Sequence, residues 1–182
     1  MFDFIGQELS EIYRDDKKKL RTNTILLGDL GVGRWHTHLQ PPLSKELIAH
    51  FEVELKQEFP PQYKEFLNFY NGCYLFDLLR IAGKSPDTYK GFSIEEQIMT
   101  PIELDNMQDL YRRKRTPQTH FIFGDSIVKN AYYVIDIDGN ILEMDFKTKK
   151  VIKSYDDLNN FLREILKEGK ENLRNGIYLE FG

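Results

Sequence analysis

The sequence predicts an α+β fold in which an antiparallel β-meander sheet packs against helices. Three observations lead there. Apolar residues recur at helical spacing in several segments up to Arg115. Strand-like segments with hairpin chemistry run from His120 to Ile152. A strongly amphipathic helix follows them. Helices and strands are therefore segregated along the chain, the mark of the α+β class. At 182 residues, 41% hydrophobic and 13% aromatic, the chain suits a single domain over 1–182. A domain of that size buries roughly 70% of the surface its unfolded chain exposes.

Phe2, Ile5, Leu9, Ile12 and Tyr13 predict an amphipathic helix over Phe2 to Leu20, with Lys17-Lys18-Lys19 in its last turn. Leu27 to Leu39 carries three glycines and reads as loop with at most a short strand. Ser44 caps a helix to about Glu58, whose stripe is Leu47, Ile48, Phe51 and Leu55. Pro61 opens the next helix near N1; Tyr63, Phe66, Leu67 and Tyr70 face inward, and Asn71-Gly72 ends it. Cys73 to Ala82 is expected as one strand and Gly83 to Gly91 as a loop. Thr100-Pro101-Ile102-Glu103 reads as cap, N1 proline and N3 glutamate of a helix ending in Arg112 to Arg115.

His120 to Phe123 is a strand. Tyr132 to Ile137 and Ile141 to Phe146 flank Asp138-Gly139-Asn140 as a hairpin, and Val151-Ile152 adds a short strand. Alternation assigns Tyr133, Ile135, Ile137, Leu142, Met144 and Phe146 to the core. It turns Tyr132, Val134, Asp136, Ile141, Glu143 and Asp145 outward. Ser154 caps the last helix, with Asp157 at N3. Its stripe is Leu158, Phe161, Leu162, Ile165 and Leu166, and Gly169 ends it. The segment from Lys170 on is a charged tail that finishes as an extended segment or late strand.

A net charge of -4 argues against nucleic-acid binding, which draws on Lys and Arg, and favours a basic partner. The single cysteine, Cys73, allows no internal disulfide and no cysteine-based zinc site. No apolar run nears the ~20 residues that span a bilayer. The start, Met1 to Gly6, lacks a basic-then-apolar leader, so a cytoplasmic protein is the expectation.

Several constellations have simple structural readings. His36 and His38 could ligate zinc only with a third ligand. Gly28-x-x-Gly31-x-Gly33 meets neither nucleotide-binding fingerprint and reads as a turn. Asp136-Ile137-Asp138-Gly139 places its glycine too early for a calcium loop and fits a hairpin turn. Cys73 reads as a small packed residue, and Arg112 to Arg115 as cations at a helix C-terminus. No catalytic residue, metal or cofactor is expected. Asp136, Glu143 and Asp145, with Tyr132, are read as neighbours on one outward sheet face. That face is either plain solvated surface or a dock for a basic partner.

At Phe59-Pro60-Pro61-Gln62-Tyr63-Lys64-Glu65-Phe66-Leu67-Asn68-Phe69-Tyr70-Asn71-Gly72 the chain resembles the SUKH superfamily, which shows a proline, a tyrosine, a Phe-Leu helix and then Asn-Gly. Phe121 to Asp125 resembles the family's Phe-Gly strand end, Tyr132 to Asp136 its next strand, and Ser154 to Lys167 its terminal helix. The resemblance divides the chain into an N-terminal helical extension over 1–42, a core over 43–167 and a tail over 168–182. Cys73 departs from it by standing where a second glycine is common. Val128-Lys129-Asn130 departs too, where members carry a glycine and an acidic residue. The resemblance implies non-enzymatic work without a cofactor. Bacterial members are largely immunity proteins that bind polymorphic toxins, often nucleases, and fungal relatives regulate cell-wall synthesis as interaction modules. The expected function is therefore binding and neutralising a cognate toxin, a basic nuclease, through Tyr132, Asp136, Glu143 and Asp145. The alternative is a regulatory scaffold with an endogenous protein partner.

Overall fold

Among the described residues, nine strands, each paired with its neighbours in the chain, build one antiparallel sheet in the order β1 to β9. The computed structural model describes residues 1–179. The strands are β1 (Lys17–Lys19), β2 (Ile25–Gly31), β3 (Arg34–Leu39), β4 (Cys73–Leu75), β5 (Leu79–Ile81), β6 (Phe121–Ser126), β7 (Ala131–Ile135), β8 (Ile141–Asp145) and β9 (Val151–Tyr155). The helices are α1 (Asp3–Tyr13), α2 (Lys45–Leu55), α3 (Pro61–Phe69), α4 (Ile94–Ile98), α5 (Leu104–Tyr111) and α6 (Leu158–Arg174). The α+β class and the meander are as the sequence predicts.

Two insertions cover opposite faces of the sheet. The one between β3 and β4 carries α2 and α3 to the inner face, where α1 and α6 also lie. There Tyr63 of α3 meets Phe121 with ring centres 5.0 Å apart, and Phe161 of α6 meets Tyr133 at 4.7 Å. The Tyr63 hydroxyl donates to the Ala82 carbonyl at 2.7 Å, so the buried ring leaves no polar group unpaired. The insertion between β5 and β6 carries α4 and α5 to the outer face. Tyr111 of α5 stacks on Tyr132 at 4.9 Å, while Leu20, Leu26 and Met99 form a smaller cluster with Trp35 beneath α4.

The N-terminal region differs most from its sequence reading. Arg14 takes a left-handed φ of 50° and stops α1 after Tyr13, so the three lysines leave the helix and form β1. They make the sheet's first edge, where lysine discourages further pairing. The stretch expected as loop is the β2–β3 hairpin, turned by Val32 and Gly33 at positive φ. Gly28 lies inside β2 at φ 71°; a Cβ there would sit 2.6 Å from the Tyr13 ring, so α1 packs directly on the bare backbone.

Cys73 to Ala82 is also a hairpin rather than one strand. Its turn residues, Phe76 and Asp77, both have φ 56°. Such turns favour Asn and Gly, and Phe76-Asp77 is not a pair of that kind. Tertiary packing holds it instead. Phe76 is buried, its ring stacks with Tyr13 at 6.3 Å, and its N–H donates to Thr37 Oγ1 at 3.1 Å.

Ser44 caps α2 and Pro61 opens α3 as expected. Helix α5 starts after Glu103 rather than after Thr100, without a side-chain cap, because the chain first pairs Gly83 with Glu103 across a bridge and the Glu103 carboxylate bonds Ser85. Asp157, not Ser154, caps α6, since Ser154 still belongs to β9. Helix α6 runs on past Gly169 to Arg174. Of the two readings of the tail, late strand or extended segment, no strand forms over Ile177 to Leu179; the last residues lie outside those described.

The two sheet faces also sort differently. All five residues of β7 are buried, because α5 covers one face and α6 the other, so alternation has no wet face to display. The connection Asp136 to Asn140 pairs Ile135 with Ile141, Tyr133 with Glu143 and Tyr132 with Met144. Glu143 and Ile141 therefore share the inner face with Tyr133, while Leu142 and Met144 share the outer face with Tyr132. Ile137 and Phe146, expected in the core, are exposed.

Gly169 explains why α6 tolerates a mid-helix glycine. A Cβ there would lie 2.2 Å from the Phe76 ring. Glycine to alanine ordinarily stabilises a helix interior by roughly 0.5–1 kcal/mol. Gly169→Ala is expected to do the opposite and destabilise by about 1–3 kcal/mol through overpacking, read by urea denaturation. A variant more stable than the parent would show that Phe76 is not wedged against α6.

Candidate functional site

The register of the eight ladders sets one residue from every strand in a row across the outer face: Lys18, Leu26, His38, Tyr74, Arg80, Asp125, Tyr132, Met144 and Val151. The middle of that row is polar and internally matched. Arg80 donates to the buried Asp125 carboxylate with two nitrogens, at 2.7 and 2.5 Å, and the Tyr111 hydroxyl donates to the same carboxylate. A paired guanidinium fork of this kind is among the stronger side-chain contacts. The Tyr74 hydroxyl donates to Asp77 at 2.5 Å, and its ring stacks on His38 at 4.6 Å. Burial pushes the His38 imidazole down from 6.5 to about 4, so it is neutral at physiological pH.

Helix α4 crosses above the β1–β3 end of the row. Ser93 and Glu96 form its capping box. Side chains from the sheet then fix it in place. Arg21 donates to both Glu96 oxygens at 2.8 and 2.7 Å, and Lys18 reaches Glu95 at 2.5 Å. The Arg21 contact, with the Ser93 amide, holds the Glu96 carboxyl down at about 2. The inward side of α4 is thus spent on charge pairing. Its outward side presents Ile94, 78% exposed, and Ile98, 67% exposed.

Two clefts adjoin this helix and share Gln40, Thr100 and Pro101 in their walls. The larger, about 520 Å³, is lined by Thr24, Gln40, Leu43, Leu47, Lys84 and Phe92 among others. Its floor is fixed by a buried relay: Thr24 donates to Gln40, which donates to the Met99 carbonyl at 2.8 Å. Its wall is set by Asn71, whose side chain bonds both the N–H and the carbonyl of Lys84. The smaller cleft, about 260 Å³, has His38, Tyr74 and Arg80 at its base and Ile98 and Ile102 on its sides. An exposed apolar ridge beside two clefts, on a rigid base, is suited to gripping a complementary surface.

The four residues expected to form a docking face do not share one. Tyr132 lies on the outer face but is 3% exposed beneath Tyr111. Glu143 lies on the inner face at 7% exposure, accepting a bond from Tyr155 at 3.2 Å. Asp136 and Asp145 sit at opposite ends of β8. Asp136 accepts the Asp138 and Asn140 amides, and Asp145 those of Lys147 and Thr148, so each carboxylate organises its own turn.

The other sequence constellations resolve locally. His36 lies 2.7 Å from the Tyr13 hydroxyl while His38 stacks on Tyr74, so the two are drawn to different partners. Among the described residues, no three His, Cys, Asp or Glu side chains are grouped to hold a metal ion. Cys73 is buried, and burial pushes its thiol up, away from the reactive thiolate. Among the described residues, no helix is long and apolar enough to cross a membrane. The sequence reading passed over Ile94 and Ile98, although Ser93-Ile94-Glu95-Glu96 carried the capping-box signal for α4. Nothing local could have joined Arg80 to Asp125.

Two measurements check the row. Arg80→Ala leaves a buried carboxylate without its cation and is expected to cost about 3–5 kcal/mol of stability in urea denaturation. A loss below about 1 kcal/mol would show that water replaces the guanidinium. For His38, the unfolded chain takes up a proton near 6.5 and the folded chain only near 4. Its contribution is therefore complete above pH 6.5 and is lost as pH falls toward 4. His38→Gln is expected to reduce the difference in unfolding free energy between pH 7 and pH 5. An unchanged difference would show that the imidazole is protonated in the fold.

No curated protein matches the chain. The protein-family model described as the SMI1 / KNR4 family (SUKH-1) matches residues 42–164, which take in α2 to α5, β4 to β9 and the start of α6. With well over half of the sequence matched, the chain belongs to the SMI1/KNR4 (SUKH-1) family.

Proposed function

We propose that the chain is a non-enzymatic protein-binding module, and that it serves as an immunity protein which neutralises a cognate toxin by contact. The observation that carries the reading is the α4 ridge. Its two isoleucines face solvent on a helix whose other side is locked by Arg21 and Lys18. Anchors held rigid before binding lose little freedom on association, which favours tight complexes. The clefts beside the ridge offer places for a partner's own side chains. The family supports a binding role, and the net charge of -4 suits a basic partner such as a nuclease toxin.

The test is co-expression with the product of the adjacent toxin gene. The parent chain is expected to co-purify with it and protect cells. Ile94→Asp with Ile98→Asp is expected to weaken the complex by about 30-fold or more, the ~2 kcal/mol of a hot-spot anchor, with an unchanged circular dichroism spectrum. Absence of both co-purification and protection would end the immunity reading. Capture of an endogenous protein that depends on the same isoleucines would make the chain a regulatory scaffold instead.

A further inference from the structure

A second site lies at the other end of the outer face, in the turn between β8 and β9. Three aromatic rings converge there on one ammonium. Lys149 Nζ is 4.5 Å from the centre of the Phe146 ring, 4.8 Å from Tyr132 and 6.0 Å from Tyr111. The rings brace one another: Tyr111 stacks on Tyr132 at 9° and meets Phe146 edge-on at 89°. All three distances fall within the roughly 6 Å at which a ring face attracts a cation.

The resident cation fits this cage poorly. Lys149 Nζ is shut off from solvent and has no hydrogen-bond acceptor among the described residues. An ammonium carries three donors, and burying donors without partners is unfavourable. The nearby carboxylate of Asp145 is turned to the Lys147 and Thr148 amides. Lys149 also reaches the cage from a left-handed backbone, φ 59°, which is uncommon for a lysine. Its nitrogen stands further from the two nearest ring centres than the ~3.5–4.0 Å of direct contact, a gap that methyl groups would take up. Phe146 is 39% exposed, so it is the wall of the closed cage that borders solvent.

We propose that Tyr111, Tyr132 and Phe146 form a binding site for a quaternary ammonium group, and that Lys149 occupies it as an internal stand-in. A methylated nitrogen keeps the positive charge and brings no donors to satisfy, so it escapes the penalty that Lys149 bears. The ligand displaces Lys149, and the freed side chain regains water at the tip of an exposed turn. This inference does not rest on the toxin-binding reading, because the cage and the α4 ridge share no residue.

The probe is tetramethylammonium, followed by nuclear magnetic resonance of the aromatic rings, with sodium chloride at matched ionic strength as control. Lys149→Ala is expected to show ring shifts at concentrations at least tenfold lower than the parent. Phe146→Ala in the same background is expected to abolish them. Trimethyl-lysine and choline, titrated in parallel, distinguish a modified protein side chain from a small-molecule source of the same group. In the parent protein, Lys149 is expected to be slow toward an amine-reactive label and faster as tetramethylammonium is added. This readout also serves if Lys149→Ala does not fold. The proposal is overturned by binding that survives loss of Phe146, by Lys149→Ala folding without ring shifts, or by labelling that tetramethylammonium leaves unchanged.

Discussion

The Asp125 carboxylate sits at the centre of the sheet with no exposed surface, and three donors from two other elements meet it. Arg80 reaches it from β5 and Tyr111 from α5. Low local dielectric makes such a contact strong when complete and costly when broken. Much of the outer face takes its position from this point. Tyr111 is oriented by its bond to Asp125, and its ring then covers Tyr132. Tyr132 in turn forms a wall of the cage around Lys149. On the other side of Arg80, Tyr74 and His38 continue the row toward α4.

The two faces of the sheet have different tasks. The inner face is closed by α1, α2, α3 and α6 around aromatic and aliphatic side chains such as Phe66, Tyr133 and Phe161, the larger part of a core that reaches through the sheet to Tyr111 and Tyr132. The outer face is only partly covered, by two short helices, with two clefts beside α4. Toward α4 its charges are matched internally, Lys18 with Glu95, Arg21 with Glu96 and Arg80 with Asp125, so that end presents mainly shape and apolar surface. Contacts can change on the outer face while the inner core keeps the fold.

Much of the fold was legible in the sequence, and the reasons for the misses are physical. Helices α2, α3 and α6 declared themselves through stripes at i, i+3 and i+4, and the β7–β8 turn through Asp138-Gly139-Asn140. The β4–β5 turn was hidden because Phe76 and Asp77 are held in their backbone conformation by tertiary contacts, not by local preference. Gly169 was misread as a helix end because its real reason, the approach of Phe76, comes from far along the chain. The candidate site fared worse. Tyr132 and Glu143 were placed together because both strands were assumed to have one wet face, whereas β7 has none. The α4 ridge was missed despite its cap, since five residues make too short a stripe to stand out by period.

The in-order meander also bears on how the chain assembles. Of its eight ladders, β3–β4 and β5–β6 alone bridge an insertion; the others join strands separated by a turn. Short closures come early in folding, because little entropy is lost before contacts reward it. The run from β6 to β9 is the longest uninterrupted stretch of such closures, and it can zip up hairpin by hairpin. Joining it to β1–β3 waits on the two helical insertions. Those insertions are the splices that unite three locally formed β units into one sheet, and one of them, the α4–α5 segment, also shapes the outer surface.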